Sequence, residues 1–134
     1  VWDMTIELTI LAWTLILALV YILTPTMLRN RETGLAYNAG NRDTEAPPMG
    51  VVTGRLMRAK KNLFETLPLF IAAVLIAGLA NVHTAMTVWG CWLFLGARLV
   101  YLPIYGFGIP YVRTAVWLVS LIGLLMIVIA VLKG

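Results

Sequence analysis

The segment "RAKKNLFETLPLF", Arg58 to Phe70, carries three cations, an amide and a carboxylate into an apolar run. Arg58, Lys61, Asn62 and Glu65 stand at i, i+3, i+4 and i+7, a spacing that predicts one shared helix face. Guanidinium and ammonium groups suit carboxylates, the guanidinium as a bidentate clamp and the ammonium as a point charge. A carboxylate suits an ammonium, and an amide both donates and accepts. A second stripe, Arg98, Tyr101 and Tyr105, follows at i, i+3 and i+7, and Arg113 stands just beyond a short connection. An arginine at mid-helix costs about 2.5–3.5 kcal/mol on insertion scales, so Arg98 is expected to face a partner or water. Plainer roles exist for each group. A Glu65–Arg98 ion pair would fix helix register, Tyr101 and Tyr105 would suit an interfacial aromatic belt, and Asn62 would suit a helix–helix hydrogen bond. None of these explains why seven polar groups share one depth and one facing.

The elements that must position these groups are membrane helices. The chain has 134 residues, 61% of them hydrophobic and 12% charged, with a mean hydropathy of +0.92. A soluble domain of this size has no core large enough for that much apolar surface. About 20 apolar residues span a bilayer as a helix, and four segments qualify, at about 6–27, 64–81, 85–105 and 114–132. The expected fold is all-α, a single integral membrane four-helix bundle over residues 1–134, with a first loop at about 28–57. The first apolar segment does not read as a cleavable signal peptide: Asp3 and Glu7 open it, no basic region precedes it, and it is too long. The leading Val implies a residue or tag missing before it.

Seven basic residues, Arg29, Arg31, Arg42, Arg55, Arg58, Lys60 and Lys61, fall between the first two spans, whereas "NVHT" between the next two has no Lys or Arg. The positive-inside rule places the first loop in the cytoplasm and both termini outside. Trp2 and Tyr111 suit the interfaces. Arg29, Arg31 and Arg42 would lie well on anionic headgroups. Gly34, Gly40, Pro47, Pro48 and Gly50 argue against one continuous helix through the loop. A helix entering the membrane from Val51 would contain Pro68, kinking it or freeing a carbonyl. Gly78, Gly90, Gly96 and Ala97 would permit close helix contacts.

Other chemistries find little support. Net charge +4 with no interleaved aromatics, beside a membrane helix, does not indicate nucleic acid. Cys91 is the sole cysteine, which rules out an intrachain disulfide and reads as a packed small residue. His83 is the sole histidine. It reads as a solvated loop residue, with neither the clustered ligands of a metal site nor nearby acids for a hydrolase triad. Gly106 and Gly108 in "YGFGIP" lack the strand and the Lys-Ser/Thr of a phosphate loop.

Together these residues resemble a known family. "RAKKNLFETLPLF" is similar to the second-helix signature of the membrane-associated proteins in eicosanoid and glutathione metabolism, the MAPEG family: Arg-Ala, two residues, Asn, two residues, Glu, then Pro. "GARLVYLPIY" resembles its third-helix pattern and "GIPYVRTAVW" its entry to the fourth. The resemblance covers nearly the whole chain and looks most like the bacterial branch, which implies a bacterial inner membrane.

The resemblance implies a homotrimer with glutathione bound between subunits near the cytoplasmic side. Carried over by position, the glutathione contacts fall on Arg58, Asn62, Glu65, Tyr101, Tyr105 and Arg113, with Lys61 and Arg98 in the same layer. Arg29 or Arg31 matches an arginine lent by the neighbouring subunit. Arg113 matches the thiol-activating arginine, assisted by Tyr105 or Thr114. Lys61 stands where relatives often have Arg. Leu63, Tyr101 and Thr114 replace a polar residue, His and Ser of the prostaglandin E synthase branch, which argues against the eicosanoid reactions. The implied activity is a membrane glutathione transferase or peroxidase acting on apolar electrophiles or lipid hydroperoxides, with lipid delivering the second substrate. Two rivals remain: a non-catalytic lipid-binding protein of the same fold, and a small proton-coupled exporter using Glu7 or Glu65. The long basic loop and the outer position of Glu7, where a carboxylate stays hydrated, argue against the exporter.

Overall fold

The computed structural model describes residues 4–134; Trp2 and Asp3 lie outside the described residues. Five helices follow in order: α1 (Ile6–Thr33), α2 (Leu35–Ala39), α3 (Val51–Leu79), α4 (Ala85–Gly106) and α5 (Pro110–Lys133). All but α2 are long and apolar enough to cross a membrane, and the protein is an integral membrane protein. α1 packs on α3 and α4, α3 on α4 and α5, and α4 most extensively on α5. Among the described residues α1 and α5 do not touch, so they stand at opposite corners of the bundle.

Local chemistry sets the helix ends. The Thr5 hydroxyl accepts from the Leu8 N–H at 3.2 Å and starts α1. Thr84 and Thr87 bond each other's backbone N–H groups at 3.3 and 3.0 Å, a capping box that starts α4. α3 ends in a Schellman motif: the Val82 N–H reaches the Ala77 carbonyl at 2.9 Å and the Asn81 N–H the Gly78 carbonyl at 3.3 Å. Asn81 takes the left-handed position at φ +57°. α4 ends the same way, with Ile109 bonded to Ile104 at 3.2 Å, Gly108 to Tyr105 at 3.0 Å, and Gly108 at φ +75°. Pro110 then opens α5, where its missing N–H costs nothing.

The first connection is shorter than the loop expected at 28–57. α1 runs on to Thr33 and α3 begins at Val51, leaving residues 40–50 without helix. Met, Leu, Arg, Ala and Lys are good helix formers, so α3 continues where charge rather than fold changes. At 28 residues, α1 is roughly 42 Å long at 1.5 Å per residue, more than the ~30 Å hydrocarbon layer. Glu32 ties the ends together. Its carboxylate accepts from Arg29 Nη1 at 2.9 Å, the Gly50 N–H at 3.2 Å and Thr53 Oγ1 at 2.6 Å. A carboxylate at the amino end of α3 complements the helix dipole. Pro25, Pro68 and Pro103 all lie inside helices that continue past them.

The core is apolar, centred on Phe70 and Phe94, whose rings stack at 4.1 Å. α4 and α5 cross backbone to backbone. A Cβ on Gly90 would lie 2.6 Å from the Gly123 carbonyl, and one on Gly123 would lie 2.6 Å from that of Gly90. Gly96, expected to serve a close contact, has open space around it, and Gly78 meets only Leu8 at 4.0 Å. Further polar contacts tie α1 to α4 and to the α3–α4 turn. The Tyr21 hydroxyl donates to the Arg98 carbonyl at 2.6 Å. At the other end Glu7 Oε2 meets His83 Nδ1 at 2.6 Å and accepts from Thr87 Oγ1 at 3.2 Å. Glu7 is therefore buried rather than hydrated, and His83 is a half-exposed partner rather than a free loop residue. The α3–α4 turn folds over the start of α1 and brings them together.

Candidate functional site

Two layers of polar groups occupy the end of the bundle that carries the first connection. The inner layer centres on Arg98, which is fully buried. Its Nη1 donates to Asn62 Oδ1 at 2.7 Å and its Nη2 to Thr66 Oγ1 at 3.0 Å. The guanidinium carbon lies 5.0 Å from the Tyr101 ring centre and 5.7 Å from that of Phe94. Aromatic faces favour such a cation. Arg98 Nε has no hydrogen-bond partner among the described residues.

The Glu65–Arg98 ion pair, one of the plainer roles the sequence allowed, does not form. Glu65 is exposed on the outer surface of α3 and has no partner among the described residues. The helical angle explains this. At 3.6 residues per turn, Glu65 and Thr66 differ by about 100°, and Arg98 takes the Thr66 side, with Asn62 on the border between the two.

The outer layer is built around Tyr105 in the last turn of α4. Arg58 Nε donates to the Tyr105 hydroxyl at 3.1 Å. The guanidinium carbons of Arg58 and Arg113 lie 5.9 and 4.8 Å from its ring centre. Tyr105 also meets Tyr101 edge to face at 5.6 Å, joining the two layers. Arg55, Arg58, Tyr105, Gly108, Pro110 and Arg113 line a cavity of about 260 Å³. Among the described residues no carboxylate pairs with any of these three arginines. The Schellman turn at Gly108 and Pro110 sets the spacing of Tyr105 and Arg113.

The structure thus brings Arg58, Tyr105 and Arg113 together, with Tyr101, Asn62 and Arg98 directly behind. Lys61 and Thr114 are exposed and make no side-chain hydrogen bond among the described residues. Arg29 is not in this cluster within its own chain: it bonds Glu32 and the Pro47 carbonyl, the latter at 2.6 Å. Arg31 is exposed nearby. Three participants escaped sequence reasoning. Thr66 lies four residues after Asn62, and Arg55 three before Arg58, both helical-neighbour spacings. Tyr21 carried no comparable signal.

A MAPEG family profile matches residues 10–133. The chain belongs to the MAPEG family. No curated protein matches it significantly. Family membership, a bundle of four apolar helices and a polar cluster at one end agree with one another. They place this MAPEG protein among membrane proteins connected in general with glutathione and eicosanoid metabolism.

Proposed function

We propose that this protein binds glutathione at the Arg58–Tyr105–Arg113 cluster and uses its thiol on apolar substrates. The observation that carries the reading is a cavity lined by three arginines without acidic partners among the described residues, at one end of a membrane bundle. Glutathione carries two carboxylates, an ammonium, two amides and a thiol. Arg58 suits a carboxylate, Asn62 an amide and Glu65 the ammonium. A free thiol of pKa about 8.5 is mostly protonated at neutral pH. A guanidinium beside it in a poorly hydrated site favours the thiolate, and Arg113 takes that role, with Tyr105 or Thr114 beside it.

Two reactions fit. In transfer, the thiolate sulfur bonds to an electrophilic carbon and a leaving group such as halide departs. In reduction, two glutathione thiols give up their protons and electrons to a hydroperoxide, yielding a disulfide, an alcohol and water. An apolar groove lined by Val52, Leu56, Leu102, Pro103 and Phe107 lies beside the cluster and offers the membrane-side approach. Exposed Glu65 and Lys61 on a spanning helix call for cover, which a homotrimer would supply, and the basic end faces the cytoplasm in this reading.

Calorimetric titration of glutathione into the detergent-solubilised protein tests the proposal. Arg58→Ala is expected to weaken binding more than tenfold, about 1.4 kcal/mol. Arg113→Ala is expected to abolish turnover of halonitroarenes or hydroperoxides while binding persists. Absence of binding at millimolar glutathione would favour a lipid-binding, non-catalytic role instead.

A further inference from the structure

Arg55 has no assigned role, yet it is the best-seated cation of the cluster. It lies one turn before Arg58 on α3, on the same face. Its guanidinium is laid directly on Gly108: a Cβ there would fall 2.6 Å from Cζ, 2.7 Å from Nη1 and 2.8 Å from Nη2. Position 108 favours glycine for its φ of +75°, and a Cβ there would push the guanidinium off its seat. Arg55 is half-buried and lines the cavity with Arg58 and Arg113. It makes no side-chain hydrogen bond and no ion pair among the described residues. A planar fork held flat against backbone, with its donors unspent, is pre-organised for a carboxylate or phosphate. Three guanidinium groups around one small cavity repel one another, and a single anionic group offsets only part of that repulsion.

We infer that Arg55, seated on Gly108, is a ligand-binding residue and makes the site selective for ligands with two anionic groups over ligands with one. The inference rests on the reading of this cavity as the ligand site. Arg58 holds one anionic group beside Tyr105, and Arg55 holds the second. For glutathione the second group is the glycyl carboxylate, the one without a neighbouring ammonium.

The test compares three probes on wild type, Arg55→Gln, Arg55→Lys and Gly108→Ala: glutathione, its glycyl monoethyl ester, and inorganic pyrophosphate. Arg55→Gln is expected to weaken glutathione about tenfold and the ester less than about threefold. Arg55→Lys is expected to recover only part of the loss, because a point charge lacks the fork. Gly108→Ala, which leaves every charge in place, is expected to reproduce the Arg55→Gln pattern. Thermal unfolding of Arg55→Gln should match wild type. Glutathione binding unchanged in Arg55→Gln would overturn the inference and leave the thiol reading standing. Equal losses for glutathione and its ester would overturn the assigned selectivity. Pyrophosphate bound in an Arg55-dependent way without glutathione would uphold the inference and overturn the thiol reading. Binding of no probe would overturn both.

Discussion

The hydrogen bond between Arg98 and Asn62 makes an asymmetric prediction. Arg98 is buried without a carboxylate among the described residues, and Asn62 Oδ1 at 2.7 Å is one of its two side-chain partners. Asn62→Leu removes the acceptor and leaves a guanidinium arm unsatisfied beside Nε, which already has no partner. A hydrogen bond to a charged group is worth about 1.5–3 kcal/mol, so a loss of that size is expected. Arg98→Met behaves differently. It removes the charge and with it an insertion cost of about 2.5–3.5 kcal/mol. Thr66 stays satisfied through its bond to the Leu63 carbonyl at 3.1 Å, and Asn62 is only partly buried. Arg98→Met is thus expected to cost less than about 1 kcal/mol, and the double variant to resemble it. The resulting coupling is about 1.5–3 kcal/mol. Unfolding of the ligand-free protein by SDS in micelles, followed by tryptophan fluorescence, measures all three variants. Additive losses, or Arg98→Met as the most damaged of the set, would refute the reasoning.

Gly90→Ala should cost about 1–3 kcal/mol by overpacking the α4–α5 crossing, while Gly96→Ala, with open space around it, should melt like wild type. Tyr105→Phe keeps the ring but loses the acceptor for Arg58. It is expected to weaken glutathione up to about tenfold, with Tyr105→Leu weaker still, both read by calorimetry. Cys91 is fully buried, so maleimide should label it only after unfolding; labelling at the native rate of a free thiol would contradict its packing.

The four spanning segments were legible because length and apolar composition decide them. The far end of α1 was not, because a charged stretch of good helix formers reads as loop once the apolar run stops, yet α1 runs on to Thr33; the start of α3 at Val51 agrees with the helix expected there. The polar face of Arg58, Asn62 and Glu65 followed from spacing. Which neighbouring helix each group meets did not, because spacing gives angles around one axis and not the rotation of that axis against its neighbours. Arg98 and Glu65 invited an ion pair on charge alone, yet the rotation of α3 presents Thr66 to Arg98. Glu7 looked exposed for the same reason: nothing in "NVHT" says that the turn folds over it.

Glu7, Thr14 and Tyr21 recur every seventh residue along α1, and all three are buried. Glu7 and Tyr21 bond other helices at points about 21 Å apart by helix rise. Lipid tails are as apolar as leucine, so greasy packing alone hardly distinguishes one sliding position of a membrane helix from the next. Paired polar dowels do. A shift of α1 by one residue would turn its side chains by about 100° and unseat both together. The two ends of the bundle are thereby gauged together, and α1 meets α3 and α4 in a single alignment.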